Sequence, residues 1–285
     1  MLQLPTPHDG KLWLPPRAII KPPRRPHRKR SKLAMPSWYI AGNERFRGSV
    51  PVSAGFSPAN ISGLLAWYKS DTQVFSDQAG TTPATNRGHV RLWKDQSGNG
   101  NDISDASTGP FFATNQISGL AALQFRSSSN TFLTNSFFPI GTGSVSSCFA
   151  VLLIPTVANA FGRIVGYSST DIDWLLAGNP ATTNILGFDG SSQLSGVSFT
   201  NNTYIRVGGI WDGTNFTSYL SNAAGSASAS SFSFTNNQAF RVGANTSGGA
   251  LADADIAEIV LTNTVIGSGD RASLDSYFKT RYGLS

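Results

Sequence analysis

The sequence predicts an all-β sandwich that ends in a single helix and follows an extended, basic, proline-rich arm. Ten or more short apolar segments come after residue 57, and residues that favour turns separate them. Only 13% of the 285 residues are charged and 29 are glycine, as in β proteins with many turns. We therefore expect two parts: an arm over residues 1–54, and a jelly-roll sandwich over residues 55–285.

The arm is predicted from its prolines and its charge. Residues 1–54 hold nine of the fifteen prolines. Because proline fixes φ and lacks a backbone donor, the segment cannot form a long helix or a central strand. Residues 1–50 contain eleven basic and two acidic residues, a net charge of +9, whereas the rest of the chain carries −3. Such asymmetry is typical of a segment that meets a partner.

Three interpretations of the arm remain open: a solvated tail, docking onto an acidic protein surface, and contact with nucleic-acid phosphates. Docking onto protein is favoured over nucleic acid, because large aromatic residues flank the charges and none interrupts the basic run. The predicted docking residues are Trp13, Lys21, Arg24, Arg25, Arg28, Lys29, Arg30, Lys32, Trp38 and Tyr39.

The strands of the body are predicted from its apolar segments. They cover residues 61–68, 91–94, 120–125, 148–154, 163–167, 174–177, 185–188 and 256–261, and apolar residues with a period of two mark further strands over 205–211, 216–220, 232–234 and 240–242. The segment 148–154 is apolar on both faces, which favours a central strand, and we interpret its Cys148 as a buried thiol. Asp189-Gly190 and Asp212-Gly213 lie between apolar runs and predict hairpins.

One helix is predicted near the C-terminal end. Ser268 is expected to cap it, and Leu274, Phe278 and Tyr282 recur at intervals of four residues. Gly283 is expected to end it. The apolar stripe should pack on the sheets.

Four blocks, in order, resemble a known family. WKDQSGNGND at residues 93–102 resembles a W-x-D-x-S-G-N-G-N-D corner, and GLAALQF at 119–125 is similar to a G-x-P-A-L-x-F strand. Residues 210–222 resemble a D-G…Y-x-N-G hairpin, and residues 256–283 resemble a closing strand and helix. These blocks are typical of concanavalin A-like lectin/glucanase domains of the laminin-G-like type, found among other places in phage virion proteins.

The resemblance covers about residues 57–285 and departs from the family pattern at two positions. Ala121 stands where proline is usual, and Ala223 replaces the glycine after the hairpin. The resemblance implies a concanavalin A-like jelly-roll sandwich. It does not imply one activity, because the family is functionally diverse.

The corner at residues 92–102 is also a candidate calcium site. Oxygen-rich loops bind calcium, and many laminin-G-like domains do so. The candidate ligands are Asp95, Asn99, Asn101 and Asp102. The alternative is a corner held by hydrogen bonds from these side chains to the backbone.

Catalysis is not expected. Glycoside hydrolysis needs two carboxylates that flank one bond, and the related glucanases supply them from a Glu-x-Asp-x-x-Glu strand. This chain has two glutamates, Glu44 in the arm and Glu258 in the closing strand, and Asp171 with Asp173 lacks both glutamates of that motif. The sequence contains no Cys/His zinc spacing and no phosphate-binding loop of the P-loop type.

A glycan site, by contrast, would combine exposed aromatic rings with amides and carboxylates. The best local cluster is Tyr167, Asp171, Asp173, Trp174 and Asn179. The alternatives are core packing for Trp174 and a loop or strand edge for the two aspartates.

The expected role follows from the arm, the sandwich and the absence of a recognisable secretory signal or apolar span of membrane length. We expect a non-enzymatic virion protein of the capsid decoration, head-fibre or tail-appendage type. Its residues 1–54 would dock on other virion proteins, and it would form a homo-oligomer that presents the sandwich to a cell-surface glycan. The alternatives are an exported carbohydrate-binding module or adhesin outside the cell and, less favoured, a glycoside hydrolase.

Overall fold

The computed structural model describes most of the body of the chain. The described residues are 55–105, 108–141, 143–155, 162–167, 172–177, 183–194, 196–230, 232, 234–235, 238–245 and 249–285. The whole predicted docking arm, residues 1–54, lies outside them, and so do Asp171 and Asn179.

Within these residues the chain forms seventeen strands and one α-helix. In chain order they are β1 (Leu64–Lys69), β2 (Val74–Phe75), β3 (Leu92–Trp93), β4 (Ile103–Ser104), β5 (Phe111–Ile117), β6 (Leu120–Phe125), β7 (Leu133–Phe138), β8 (Ser146–Leu153), β9 (Gly162–Tyr167), β10 (Ile172–Ala177), β11 (Asn184–Asp189), β12 (Val197–Ser198), β13 (Tyr204–Trp211), β14 (Asn215–Leu220), β15 (Ala223–Ala229), β16 (Gln238–Val242), β17 (Ala254–Thr262) and α1 (Ser268–Tyr282). Short 3-10 turns at Pro58–Asn60 and Ser127–Ser129 precede β1 and β7.

The strands form two antiparallel sheets that pack as a sandwich, which confirms the predicted all-β class with one C-terminal helix. The eight-stranded sheet has the order β15-β14-β13-β8-β17-β6-β5, with β1 also paired to β17. The nine-stranded sheet has the order β12-β11-β10-β9-β16-β7-β4-β3-β2. Buried aromatic side chains fill the space between them, and Trp174 Nε1 on β10 donates to Ser146 Oγ on β8 across the core (2.8 Å).

The eight-stranded sheet is organised around β8 and β17. The prediction of a central strand at residues 148–154 is confirmed, since β8 pairs with β13 on one side and β17 on the other. Two strands lie one after the other along the other edge of β17. Ala254–Ile256 pairs with β6, and Glu258–Thr262 pairs with β1. Ser70 lies at this junction, where its N–H donates to Ala257 O (2.9 Å).

Helix α1 packs on the outer face of the eight-stranded sheet. Leu274, Phe278 and Tyr282 are buried there, as predicted. Gly283 ends the helix in the left-handed region (φ 61°), also as predicted. The predicted cap was wrong: Ser268 is the first helical residue and Gly267 occupies the N-cap, with no side-chain cap hydrogen bond.

The predicted hairpins are also present. Asp212-Gly213 lies between β13 and β14, and Asp189-Gly190 follows β11, which pairs back with β12. Among the described residues, no helix has the length and apolar character needed to cross a membrane.

Candidate functional site

The corner after β3 is built around the carboxylate of Asp95. Its Oδ1 accepts from the N–H of Trp67 on β1 (2.9 Å) and of Ser97 (2.8 Å). Its Oδ2 accepts from Ser97 Oγ (2.7 Å) and from the N–H of Asn101 (3.0 Å). Both oxygens are therefore committed to backbone and hydroxyl donors.

The other three candidate calcium ligands make similar ties. Asp102 Oδ1 accepts from the N–H of Asp95 (2.9 Å), and the amides of Asn99 and Asn101 donate to carbonyls of β1. Nor do the described residues place three or more His, Cys, Asp or Glu side chains together as a metal cluster. These contacts favour the hydrogen-bonded alternative for the corner.

The predicted glycan cluster is corrected by the structure, because its described members are buried. Trp174 is 0% exposed, and its ring stacks on Phe234 with centroids 5.4 Å apart. Tyr167 is 1% exposed and its hydroxyl donates to Thr235 O (2.6 Å). Neither ring is available to stack on a sugar, so both are core residues.

Asp173 is likewise a structural residue rather than an exposed carboxylate. It is 1% exposed and forms an ion pair with Arg163 of β9. Asp173 lies within β10, between β9 and β11, so the alternative of a loop or strand edge was also wrong. The guanidinium of Arg163 in turn lies over the ring of Phe188, 4.1 Å from its centroid.

Glu258, the only glutamate of the body, is fully buried on β17 beneath helix α1. Trp67 Nε1 and Tyr277 OH donate to its Oε1. Tyr282 OH donates to its Oε2 (2.6 Å), and Arg281 Nε lies 3.2 Å from the same oxygen. This network joins the helix to two strands of the sheet.

The surroundings of this network raise the pKa values of Glu258, Tyr277 and Tyr282 and so favour their protonated forms. Burial raises the pKa of Glu258, opposed by hydrogen bonds from Tyr282 and Trp67 and by the charge of Arg281. Burial and the neighbouring Glu258 also raise the pKa of Tyr277 and of Tyr282, so both hydroxyls remain donors at neutral pH.

A cleft of about 770 Å³ lies beside helix α1 and ends at this network. Phe56 and Tyr277 contribute its aromatic wall, with ring centroids 6.3 Å apart. Arg281 also lines the cleft, and its NH2 group binds both oxygens of Asp71 (2.8 and 2.7 Å). Because Tyr277 and Arg281 hold the buried Glu258 carboxylate, a molecule in this cleft would meet them rather than a free general acid.

A second feature of the outer face is a line of paired residues that crosses five strands. Tyr204 pairs with Leu153, Leu153 with Asp255, Asp255 with Gln124, and Gln124 with Phe111. We call these five residues the cross-strand row. Their neighbours along each strand point into the core, so the row faces outward, past the C-terminal end of α1.

Side chains of the row contact one another and two flanking residues. Gln124 Nε2 donates to Asp255 Oδ2 (3.0 Å), and Arg126 NH2 lies 2.6 Å from Asp255 Oδ1. At the β5 end, the ring of His89 lies on Phe111 with centroids 4.4 Å apart. No local sequence pattern marks this surface, because its members come from strands that are far apart in the chain.

Comparisons with known proteins identify the fold. No protein-family model matches the chain, and no curated protein matches it. Among solved structures, it is similar to the binding domain of Paraclostridial Mosquitocidal Protein 1 (TM-score 0.55, 10% identity, 78% of this chain and 53% of that one). It is also similar to the Botulinum neurotoxin serotype G binding domain (TM-score 0.53, 13% identity, 76% and 51%).

A third similar structure is the Trypanosoma rangeli sialidase in complex with the inhibitor DANA (TM-score 0.52, 13% identity, 76% of this chain and 33% of that one). The chain thus spans between a third and about half of the length of these three proteins. At these identities the likeness shows a common β-sandwich fold and nothing further.

Proposed function

We propose that this protein is a non-enzymatic component of a virus particle, of the capsid decoration, head-fibre or tail-appendage type. Its basic arm docks on acidic surfaces of other virion proteins, and its sandwich presents a glycan-binding face. The observation that carries this proposal is the division of charge: +9 over residues 1–50 against −3 over the rest. Many copies on one particle would turn weak sugar contacts into avid attachment.

The two described carboxylates that were weighed for catalysis, Glu258 and Asp173, favour binding over hydrolysis. A glycosidase needs one carboxyl group that can donate a proton and a second that is free to act as nucleophile or base. Glu258 is buried beneath three hydrogen-bond donors and the charge of Arg281, and Asp173 is buried in an ion pair. Two of the similar structures are named as binding domains, which also supports a binding role.

The proposal is tested by locating the protein in particles purified from the culture that produces it. Immunogold electron microscopy with an antibody against the sandwich should label the particles. A variant with Arg24, Arg25, Arg28 and Arg30 changed to Gln should fail to co-purify with them. Recovery of the protein in the medium, free of particles, would instead indicate the exported adhesin.

A further inference from the structure

We propose that the cross-strand row is the glycan-binding face, and that it binds an extended, neutral oligosaccharide. The inference rests on the proposed glycan-binding function and names its surface and ligand class. The row replaces the predicted cluster around Trp174, whose aromatic rings are buried.

Aromatic rings stand at both ends of the row. Tyr204 lies at the β13 end, and Phe111, backed by His89, lies at the β5 end. Tyr204 and Phe111 are partly exposed, and His89 is exposed. Four strand intervals separate β13 from β5, which is about 19 Å at the usual spacing of about 4.8 Å. The two platforms are thus spaced for a chain of several sugars rather than for one.

Polar groups between the rings are held ready to bind hydroxyls. The buried Asp255 carboxylate holds the partly exposed side chains of Gln124 and Arg126, and the Arg126 guanidinium also donates to Phe125 O (2.7 Å). Groups that are already oriented lose little side-chain entropy when a ligand arrives, which favours binding.

Tyr204 offers a ligand its ring rather than its hydroxyl. The side chain is partly exposed, whereas the hydroxyl oxygen is buried. A sugar would therefore stack on the ring. Tyr204 also borders a cavity of about 530 Å³ at the C-terminal end of α1. Five of the residues that line this cavity are serine or threonine: Ser198, Thr200, Thr203, Ser221 and Ser285.

Charge argues for a neutral sugar. Arg126 is paired with Asp255, and Arg206, beside the cavity, is paired with Asp275 (2.7 Å). Neither cation is free to attract an acidic sugar. The face offers a ligand aromatic rings, an amide and hydroxyl groups, which suit a neutral sugar.

The test uses the full chain and four neutral probes: cellohexaose, maltohexaose, xylohexaose and chitohexaose. Calorimetry should detect binding of at least one. Gln124→Ala should weaken it by roughly tenfold, because one polar partner is lost while the fold is kept. Tyr204→Ala and Phe111→Ala should weaken it comparably, because each removes one aromatic ring.

The matched control is Phe75→Ala, a partly exposed aromatic of β2 in the other sheet, which should bind as the unchanged protein does. Melting curves verify that every variant is folded. A parallel array of neutral and acidic glycans distinguishes the proposal that the row binds the glycan from the broader proposal that the protein binds glycans at all. Glycan binding that survives all three row variants, or that is confined to acidic glycans, would overturn the row and leave the adhesion function standing. If the full chain binds no glycan at all, the row and the adhesion function both fail, and the docking role is left to the particle experiment.

Discussion

Asp95 Oδ1 accepts a hydrogen bond from the backbone N–H of Trp67, a residue 28 positions earlier, at 2.9 Å. One carboxylate thus joins the corner after β3, in the nine-stranded sheet, to β1, in the eight-stranded sheet. The motif that carries the family resemblance therefore works in this chain as a tie between the two layers of the sandwich.

Asp95→Ala should lower the free energy of unfolding by roughly 2–4 kcal/mol, because four accepted hydrogen bonds are lost and partly buried donors are left unpaired. Urea unfolding measures the change. Asp77→Ala is the control, since Asp77 accepts similar hydrogen bonds in an exposed loop and its loss should matter much less. Equal effects of the two substitutions would contradict the structural role of the corner.

Stability should depend on pH through Glu258. Burial raises the pKa of its carboxyl in the folded state, so the folded state favours the protonated form. That stabilisation is fully present below the unfolded pKa of about 4.3 and is lost as pH rises through the folded pKa. The unfolding free energy of the unchanged protein, minus that of Glu258→Gln, should therefore fall as pH rises above the unfolded pKa of about 4.3.

The groups that face Glu258 determine how this experiment is interpreted. Trp67, Tyr277 and Tyr282 donate to it, and Arg281 lies beside it with Asp71 on its far side. Both tyrosines stay protonated over this range because their pKa values are raised. A difference that instead rises with pH would mean that the Arg281 charge outweighs burial.

Cys148 should be unreactive in the folded protein. It is 0% exposed in β8, and burial raises the pKa of its thiol, so the reactive thiolate is scarce at neutral pH. Ellman's reagent should modify one thiol per chain in guanidinium and almost none in buffer. Rapid modification without denaturant would place Cys148 at the surface.

Substitution by alanine should have opposite effects on stability at two glycines, Gly209 and Gly269. A Cβ on Gly209 would lie 2.4 Å from the Phe216 ring and 2.7 Å from Trp174 O, so Gly209→Ala should lower the melting temperature by several degrees. Gly269, in the first turn of α1, has nothing within 4 Å of that position. Gly269→Ala should raise stability by up to about 1 kcal/mol. A melting temperature that is unchanged by Gly209→Ala would refute the close packing at β13.

A strand could be predicted where the apolar pattern of its sequence matches the burial of its side chains in the structure. Segment 148–154 is apolar on both faces because β8 has strands on either side and side chains above and below. Strand β15 was missed: its alanines, serines and glycine are mostly exposed at a sheet edge and show no alternation. Two-residue strands such as β2 are too short to leave a pattern.

The candidate sites could be predicted less well, because sequence proximity is a poor guide to a surface made of separate strands. Trp174 and Asp173 are adjacent, yet they point to opposite faces of β10. One packs in the core, whereas the other pairs with Arg163. Gln124 and Asp255 bind each other across 131 positions of sequence, and no local motif indicates that pairing.

Strands β1 and β6 both pair with the same edge of β17, and this arrangement affects how the chain folds during synthesis. Leu64 finds its partner Thr262 only after almost the whole body has been translated, and β6 waits for the same strand. Such distant pairing is slow and leaves apolar strands unprotected on the ribosome. We therefore expect nascent chains that stop before residue 254 to require chaperones, and their sandwich to close only once β17 has emerged.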